Sequence, residues 1–171
     1  MKTKFPPESY SEMTELVLPN DTNTLGNLMG GRLLHWMDIV SAIAAAKHSN
    51  RVVVTVSVDF VDFKNPIKLG EIVILKAKVT RAFTTSMEIK IDVFSQNMQT
   101  SEIKDCNSAY YTFVAVDQSG SPIPVNQLVP QSDEEKSLFE SAIQRRELRL
   151  VYAGKIKPED AGHLKKIFLP G

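Results

Sequence analysis

Three polar side chains stand in the otherwise apolar run Leu33–Ala46: His35, Asp38 and Ser41. Their spacing of three puts them on one side of a helix, and Gly31, four residues before His35, falls on that side too. An unpaired carboxylate in apolar surroundings is expensive. Asp38 therefore has either an inert, hydrogen-bonded place at a subunit contact or solvated edge, or a chemical task. Gly30-Gly31 opens this helix. Free backbone N–H groups at a helix N-terminus attract negative charge, and glycine lets a ligand approach them closely. A carbonyl oxygen placed there is polarised, and one oxyanion donor is worth about 10²–10³ in rate. Asn27, just upstream, can position a carbonyl or a water. The plainer alternative gives the glycine pair only tight packing and Asn27 only a turn.

The elements that must position these residues follow from periodicity. Residues 1–11 read as an arm, Glu12–Leu18 as a short strand, and Asn20-Asp21-Thr22-Asn23-Thr24 as a cluster of turn formers. Leu33–Ala46 is too long for a typical strand and rich in Ala and Leu, hence a helix, and one so apolar belongs inside a protein. Val54, Val56, Val58 and Phe60 alternate with polar residues, and the phase slips at Val61-Asp62-Phe63, which predicts a bulge. Val73, Leu75, Ala77 and Val79 alternate next, then Met87, Ile89, Ile91 and Val93. Asn97–Asp105 reads as a polar hairpin connection and Cys106–Val116 as a long central strand. From Ser132 the pattern turns helical, with Ser132 and Glu135 spaced as a capping box and Leu138, Ala142 and Ile143 as the apolar stripe. The chain ends on an apolar Ile167-Phe168-Leu169. Four successive strands with short connections pair antiparallel as a meander or hairpins, and such a sheet curls around the one apolar helix. The predicted fold class is α+β. The whole of 1–171 reads as one domain, with a core over about 10–130 and a helical extension over about 131–171.

Composition excludes several functions. There are 20 Lys plus Arg against 20 Asp plus Glu, without the basic surplus that nucleic-acid binding needs or the attraction to anionic lipid that a membrane surface needs. Near-zero charge weakens colloidal stability, which favours an oligomer that hides surface. The single cysteine, Cys106, cannot form an internal disulfide. No Cys/His cluster has zinc spacing, so no metal is expected. No signal-peptide core and no long apolar span are read, which gives the expectation of a cytoplasmic protein. His48 and His163 read as surface or capping residues, and Cys106 as a structural thiol.

The run from Leu25 to Asp38, Leu-Gly-Asn-Leu-Met-Gly-Gly-Arg-Leu-Leu-His-Trp-Met-Asp, resembles the hotdog-fold acyl-CoA thioesterases. The similarity continues through Lys47-His48-Ser49, Val53–Asp59, Phe63–Gly70, Val79-Thr80-Arg81, Thr85–Glu88, Tyr110–Asp117, Glu134–Glu140 and Arg145-Arg146, and covers roughly residues 10–150. Its nearest flavour is the cytosolic acyl-CoA hydrolase group of bacterial YciA-like and animal brain-type enzymes. The resemblance implies an antiparallel sheet wrapped around one central helix, and protomers that pair their sheets with an active site at each dimer interface. It implies Asp38 as the catalytic carboxylate, acting as general base on water or as nucleophile, and Asn27 of the facing protomer as the group that orients water or thioester. The Gly30 and Gly31 amides are implied to polarise the carbonyl. Arg81 and Thr84, Thr85 and Ser86 correspond to the region that holds the nucleotide phosphates, and Thr55 lies beside the pantetheine path. It further implies an acyl-CoA substrate, no separate cofactor, and a homodimer assembled as a trimer of dimers. Two departures stand out: Arg81–Ser86 replaces the Gly-Arg-Ser-Ser of many relatives, and Met29 stands where His or Phe is frequent.

Two rivals follow. A hotdog dehydratase depends on an Asp-x-Asn-x4-His pattern, which Asp21-Thr22-Asn23 begins, but the histidine position is Leu28. A non-catalytic acyl-CoA-binding or regulatory module on the same fold needs neither Asp38 nor Asn27.

Overall fold

The computed structural model describes residues 2–168, which form two compact units, 2–129 and 130–168. The first holds β1 (Thr3–Lys4), α1 (Pro6–Ser9), β2 (Ser11–Leu16), α2 (Gly30–Ser49), β3 (Val52–Phe63), β4 (Ile72–Ala82), β5 (Ser86–Gln96), β6 (Ile103–Val116) and β7 (Gln127–Leu128). The second holds α3 (Asp133–Tyr152) and α4 (Gly162–Phe168). β1 and β7 make a short parallel pair. The other strands form one antiparallel sheet in the order β2-β4-β5-β6-β3.

The strongest alternations build the core. Val73, Leu75, Ala77 and Val79 of β4 and Met87, Ile89, Ile91 and Val93 of β5 are all buried. Burial of such aliphatic side chains, each about 1.5–3 kcal/mol, is what holds the helix on the sheet. From α2, Leu33, Trp36, Met37, Val40 and Ala44 complete the core, and the helix touches all five strands of the sheet. Tyr111 and Phe113 on β6 stack with ring centroids 6.4 Å apart.

Three expectations need correction. The meander holds for β4, β5 and β6, but β3 pairs with β6 at the far edge of the sheet and not with β4. The reason is the connection that follows β3. Lys64 and Asn65 donate their N–H groups to the Cys106 carbonyl, whereas Gly70 donates to that of Val17. The chain is thus tied to β6 at one end and beside β2 at the other, and crosses the sheet between them. The helix, expected to be buried all round, is covered on one side only; Ile39 and Ile43 are 37% and 43% exposed, because a five-stranded sheet reaches a single face of it. The alternation read at Val54, Val56, Val58 and Phe60 is broken by a register shift between Thr55 and Ser57, and all four are exposed on edge strand β3.

Boundaries shift as well. α2 starts at Gly30 and runs through Ser49, and β6 starts at Ile103, three residues ahead of Cys106. The predicted bulge is present as a register shift between Asp59 and Asp62, where Phe60 has φ +54°, a costly value for an aromatic residue. His48 is not on the surface. It is fully buried in the last turn of α2, where its Nε2–H donates to the Asn126 carbonyl at 2.8 Å. Cys106 is buried, its thiol directed at the Lys104 carbonyl at 3.5 Å.

In the second unit the capping box forms as spaced. The Glu135 N–H donates to Ser132 Oγ at 3.2 Å, and the Ser132 N–H to Glu135 Oε2 at 3.1 Å. Glu147 caps α4 by accepting the N–H groups of His163 and Leu164, and its other oxygen meets His163 Nδ1 at 2.7 Å. The apolar ending expected at Ile167-Phe168-Leu169 rests on side chains outside the described residues. Among the described residues no helix is long and apolar enough to cross a membrane.

Candidate active site

The start of α2 is delivered by a tightly bonded loop. Asp21 is buried; its Oδ1 accepts from Arg32 Nε at 2.8 Å, its Oδ2 from the Leu18 N–H at 3.1 Å, and its backbone carbonyl from the Met29 N–H at 2.9 Å. Asn23 Oδ1 accepts the N–H groups of Leu25 at 2.9 Å and Asn27 at 3.2 Å. Gly26, at φ +72°, closes the turn in the left-handed region. Asn27 pairs through its backbone with Lys68.

Met29, the N-cap, supplies no side-chain oxygen, so among the described residues no side chain caps the orphan amides that this helix start leaves. The first backbone bonds run from Arg32 and Leu33 to the Met29 carbonyl. The Gly30 and Gly31 amides lie ahead of them and remain available. A Cβ on Gly31 would meet no atom within 4 Å, and one on Gly30 would stand 3.5 Å from the Phe63 ring. Packing within this chain therefore does not require the glycine pair.

Asp38 sits two turns further along. It is half-buried and not enclosed, since it faces edge strand β3 where the cover of the sheet ends. Thr55 Oγ–H donates to Asp38 Oδ1 at 2.7 Å, and Oδ2 has no partner among the described residues. A second group steadies the same turn. The Tyr111 hydroxyl donates to the Leu34 carbonyl at 3.2 Å, which is the helical acceptor of Asp38's own N–H. Burial, with the charge of Asp38 adding to it, pushes the Tyr111 hydroxyl well above its ordinary range, so it stays a donor. The other stripe residues differ from Asp38: His35 is exposed, and Ser41 is buried with its hydroxyl bonded to the Met37 carbonyl at 2.6 Å. Asp38 and Gly31 are seven positions apart, about 10 Å along the helix axis. One chain does not bring its carboxylate to its own amide pair.

Arg81, Thr84, Thr85 and Ser86 form the β4–β5 hairpin. The Phe83 N–H donates to the Ser86 carbonyl, and the carbonyls of Thr85 and Thr84 accept from Ala115 and Val125. The Arg81 guanidinium lies 5.5 Å from the centre of the Phe83 ring. Ser86 pairs with Val114, which pairs with Val54, so the hairpin and Thr55 share one end of the sheet, about 10 Å apart. They do not share a face. Arg81 pairs with Glu88, neighbour in sequence of the core-facing Met87, and so points away from α2. The structure thus brings Asp38 and Thr55 together, leaves Gly30 and Gly31 at the helix start, and sets the hairpin group on the opposite side.

Two residues were not singled out by the sequence. Tyr111 read as core, although a tyrosine in a core strand must find a partner for its hydroxyl. Asn23 read as a turn former. Its carboxamide is pinned by two backbone amides on Oδ1, which leaves Nδ2 as a fixed donor.

Residues 25–102 match the family described as the Thioesterase superfamily. The chain is 40% identical over 144 residues, 84% of each chain, to YkhA of Bacillus subtilis (strain 168), described as an uncharacterized acyl-CoA thioester hydrolase. It is also 40% identical over 146 residues to acyl-coenzyme A thioesterase 11 of Mus musculus, of which it spans 24%. Among solved structures, an apo-hexameric acyl-CoA thioesterase superposes with a TM-score of 0.86 at 42% identity, over 90% of this chain and 98% of that one. An acyl-CoA hydrolase from Staphylococcus aureus, solved with butyryl coenzyme A and coenzyme A, gives 0.82 at 35% identity, over 90% and 95%. Alanine variants of the S. aureus enzyme at an aspartate, an asparagine and a threonine are also similar; there the asparagine precedes the aspartate by 15 positions and the threonine follows it by 17. Sequence and fold agree: this chain belongs to the thioesterase superfamily, among the hotdog-fold acyl-CoA hydrolases.

Proposed function

We propose that this protein hydrolyses acyl-CoA to a carboxylic acid and coenzyme A at a site completed by two copies of the chain. One observation carries the reading: Asp38 is fixed by Thr55 with one carboxylate oxygen open, yet lies about 10 Å along the helix from its own Gly31 amide. A partner's helix start supplies what the chain's own cannot. Edge strand β3, apolar and paired on one side only, is the surface a second copy would cover, since an unpaired edge invites another strand. The hexameric neighbour supports a trimer of such dimers.

In this scheme the Gly30 and Gly31 amides bind the thioester oxygen. Asp38 takes a proton from water as the water oxygen bonds to the carbonyl carbon; the tetrahedral oxyanion then collapses, the C–S bond breaks, and the thiolate recovers the proton. A direct attack by Asp38 on the carbonyl reaches the same products through an anhydride. The orienting role first given to Asn27 fits Asn23 better. Counted from Asp38, the S. aureus spacing falls on Asn23 and on Thr55, and Asn23 alone has its carboxamide pinned. Arg81, Thr84, Thr85 and Ser86 are read as the holders of the nucleotide phosphates, and no metal or added cofactor enters the scheme. The chain is read as a cytoplasmic enzyme of one domain, with a helical extension after about residue 131.

The test is thiol release from acyl-CoAs of several chain lengths, with Asp38→Ala beside the wild type. Loss of about 10²–10⁴ in kcat is expected. Unchanged turnover in the variant removes Asp38 from the mechanism. Coenzyme A binding with no release from any substrate marks a non-catalytic acyl-CoA-binding module instead.

A further inference from the structure

Beside the start of α2 lies a cavity of about 290 Å³, walled by Leu28, Leu33, Phe63, Pro66 and Ile67 and reached at one corner by Gly30. The two polar side chains that also line it are engaged elsewhere: Lys64 Nζ pairs with Asp105 Oδ2, and Asn65 Nδ2 donates to the Asp105 carbonyl, both at 2.8 Å. Of the lining backbone, the Leu28 N–H is bonded to the Ile67 carbonyl and the Leu33 N–H to that of Met29. What remains is a mainly apolar wall with the helix-start amides at its edge.

A substrate of this family has three chemically different parts. The nucleotide is anionic, and pantetheine carries two amides and a hydroxyl, whose burial against hydrocarbon without partners costs roughly 1–3 kcal/mol each. Only the acyl chain suits these walls. The cavity has room for several methylenes. We propose that this cavity receives the acyl chain and that Phe63, whose ring lies against Gly30, sets which chain lengths are accepted. The proposal rests on the hydrolase reading above, because it places the thioester carbonyl at the Gly30 amide.

The experiment compares kcat/KM across saturated acyl-CoAs from acetyl to palmitoyl in wild type, Phe63→Ala, Phe63→Leu and Phe63→Trp. Phe63 is 55% exposed in the chain, and Phe63→Leu keeps a large apolar side chain in case Phe63→Ala does not fold. The myristoyl-to-hexanoyl ratio should rise at least about tenfold in Phe63→Ala, less in Phe63→Leu, and fall in Phe63→Trp, since one methylene in an apolar pocket is worth about 10–200-fold. Active variants whose chain-length profiles parallel the wild type overturn the proposal while leaving the hydrolase reading intact. A wild type that releases thiol from no acyl-CoA overturns both.

Discussion

Asp38 is steadied from two strands at once, by the Thr55 hydroxyl on its carboxylate and by Tyr111 on the helical turn that carries it. The two act differently, and substitution separates them. Thr55→Val removes a hydrogen bond to a charged group, and kcat should fall about tenfold with KM little changed, consistent with the ~1.5–3 kcal/mol typical of such bonds. Tyr111→Phe leaves Leu34 its helical bond, so about 1 kcal/mol of stability and a few-fold in kcat are expected, measured by chemical denaturation and steady-state kinetics. The two asparagines give a sharper contrast. Asn23→Ala should lower kcat on the order of 10²-fold, and Asn27→Ala only a few-fold, so the reverse order in the same assay would return the role to Asn27. Asp38 and the glycine pair were legible because each breaks a local rule, a charge in an apolar run and two glycines at a helix start. Tyr111 was not, because an aromatic residue in an alternating strand breaks none.

At the scale of elements, α2 and β3 leave large apolar side chains uncovered: Ile39 and Ile43 on the helix, and Val54, Val56 and Val58 on the strand, where a register shift at Val56 breaks the alternation. A lysine at Ile43 places a charge among them, more than one helical turn from Asp38 and on a different element from Thr55. Ile43→Lys should therefore convert the assembly to monomer in sedimentation velocity and abolish turnover, with the fold retained by circular dichroism. Alternation made β4 and β5 plain in the sequence, because a period of two marks which side chains share a face. It cannot say what covers that face. The same pattern belongs to a core strand and to an exposed edge, and this is why β3 was misplaced. Its position depends on where the 64–71 connection is tied, which is a matter of tertiary hydrogen bonds to Cys106 and Val17.

For the molecule as a whole, the charge balance of the sequence hides one titrating group of consequence. The His48 side chain is buried with a single hydrogen bond, its Nδ1 has no partner among the described residues, and Lys4 and Glu8 are the charged side chains that act on it. Burial holds its pKa below the usual value, so the folded protein keeps it neutral. Unfolded, the same residue takes up a proton near pH 6.5. Below that pH the unfolded state binds more protons, and stability falls until the folded-state pKa is passed. The thermal midpoint should drop between pH 7 and pH 5, and drop less in His48→Gln, whose amide can still donate to the Asn126 carbonyl. Equal slopes in the two proteins would place the acid sensitivity elsewhere.

The crossing connection also sets an order of assembly. β4, β5 and β6 are neighbours in sequence and pair through short turns, whereas β3 reaches β6 only by closing a long loop, with Thr55 opposite Phe113. Non-local pairing of this kind forms late in folding. The Asp38–Thr55 contact joins the helix to that late strand, so the Asp38 carboxylate is held in place only once β3 has joined the sheet. A nascent chain with its meander already closed would carry every residue of the site and still have no site.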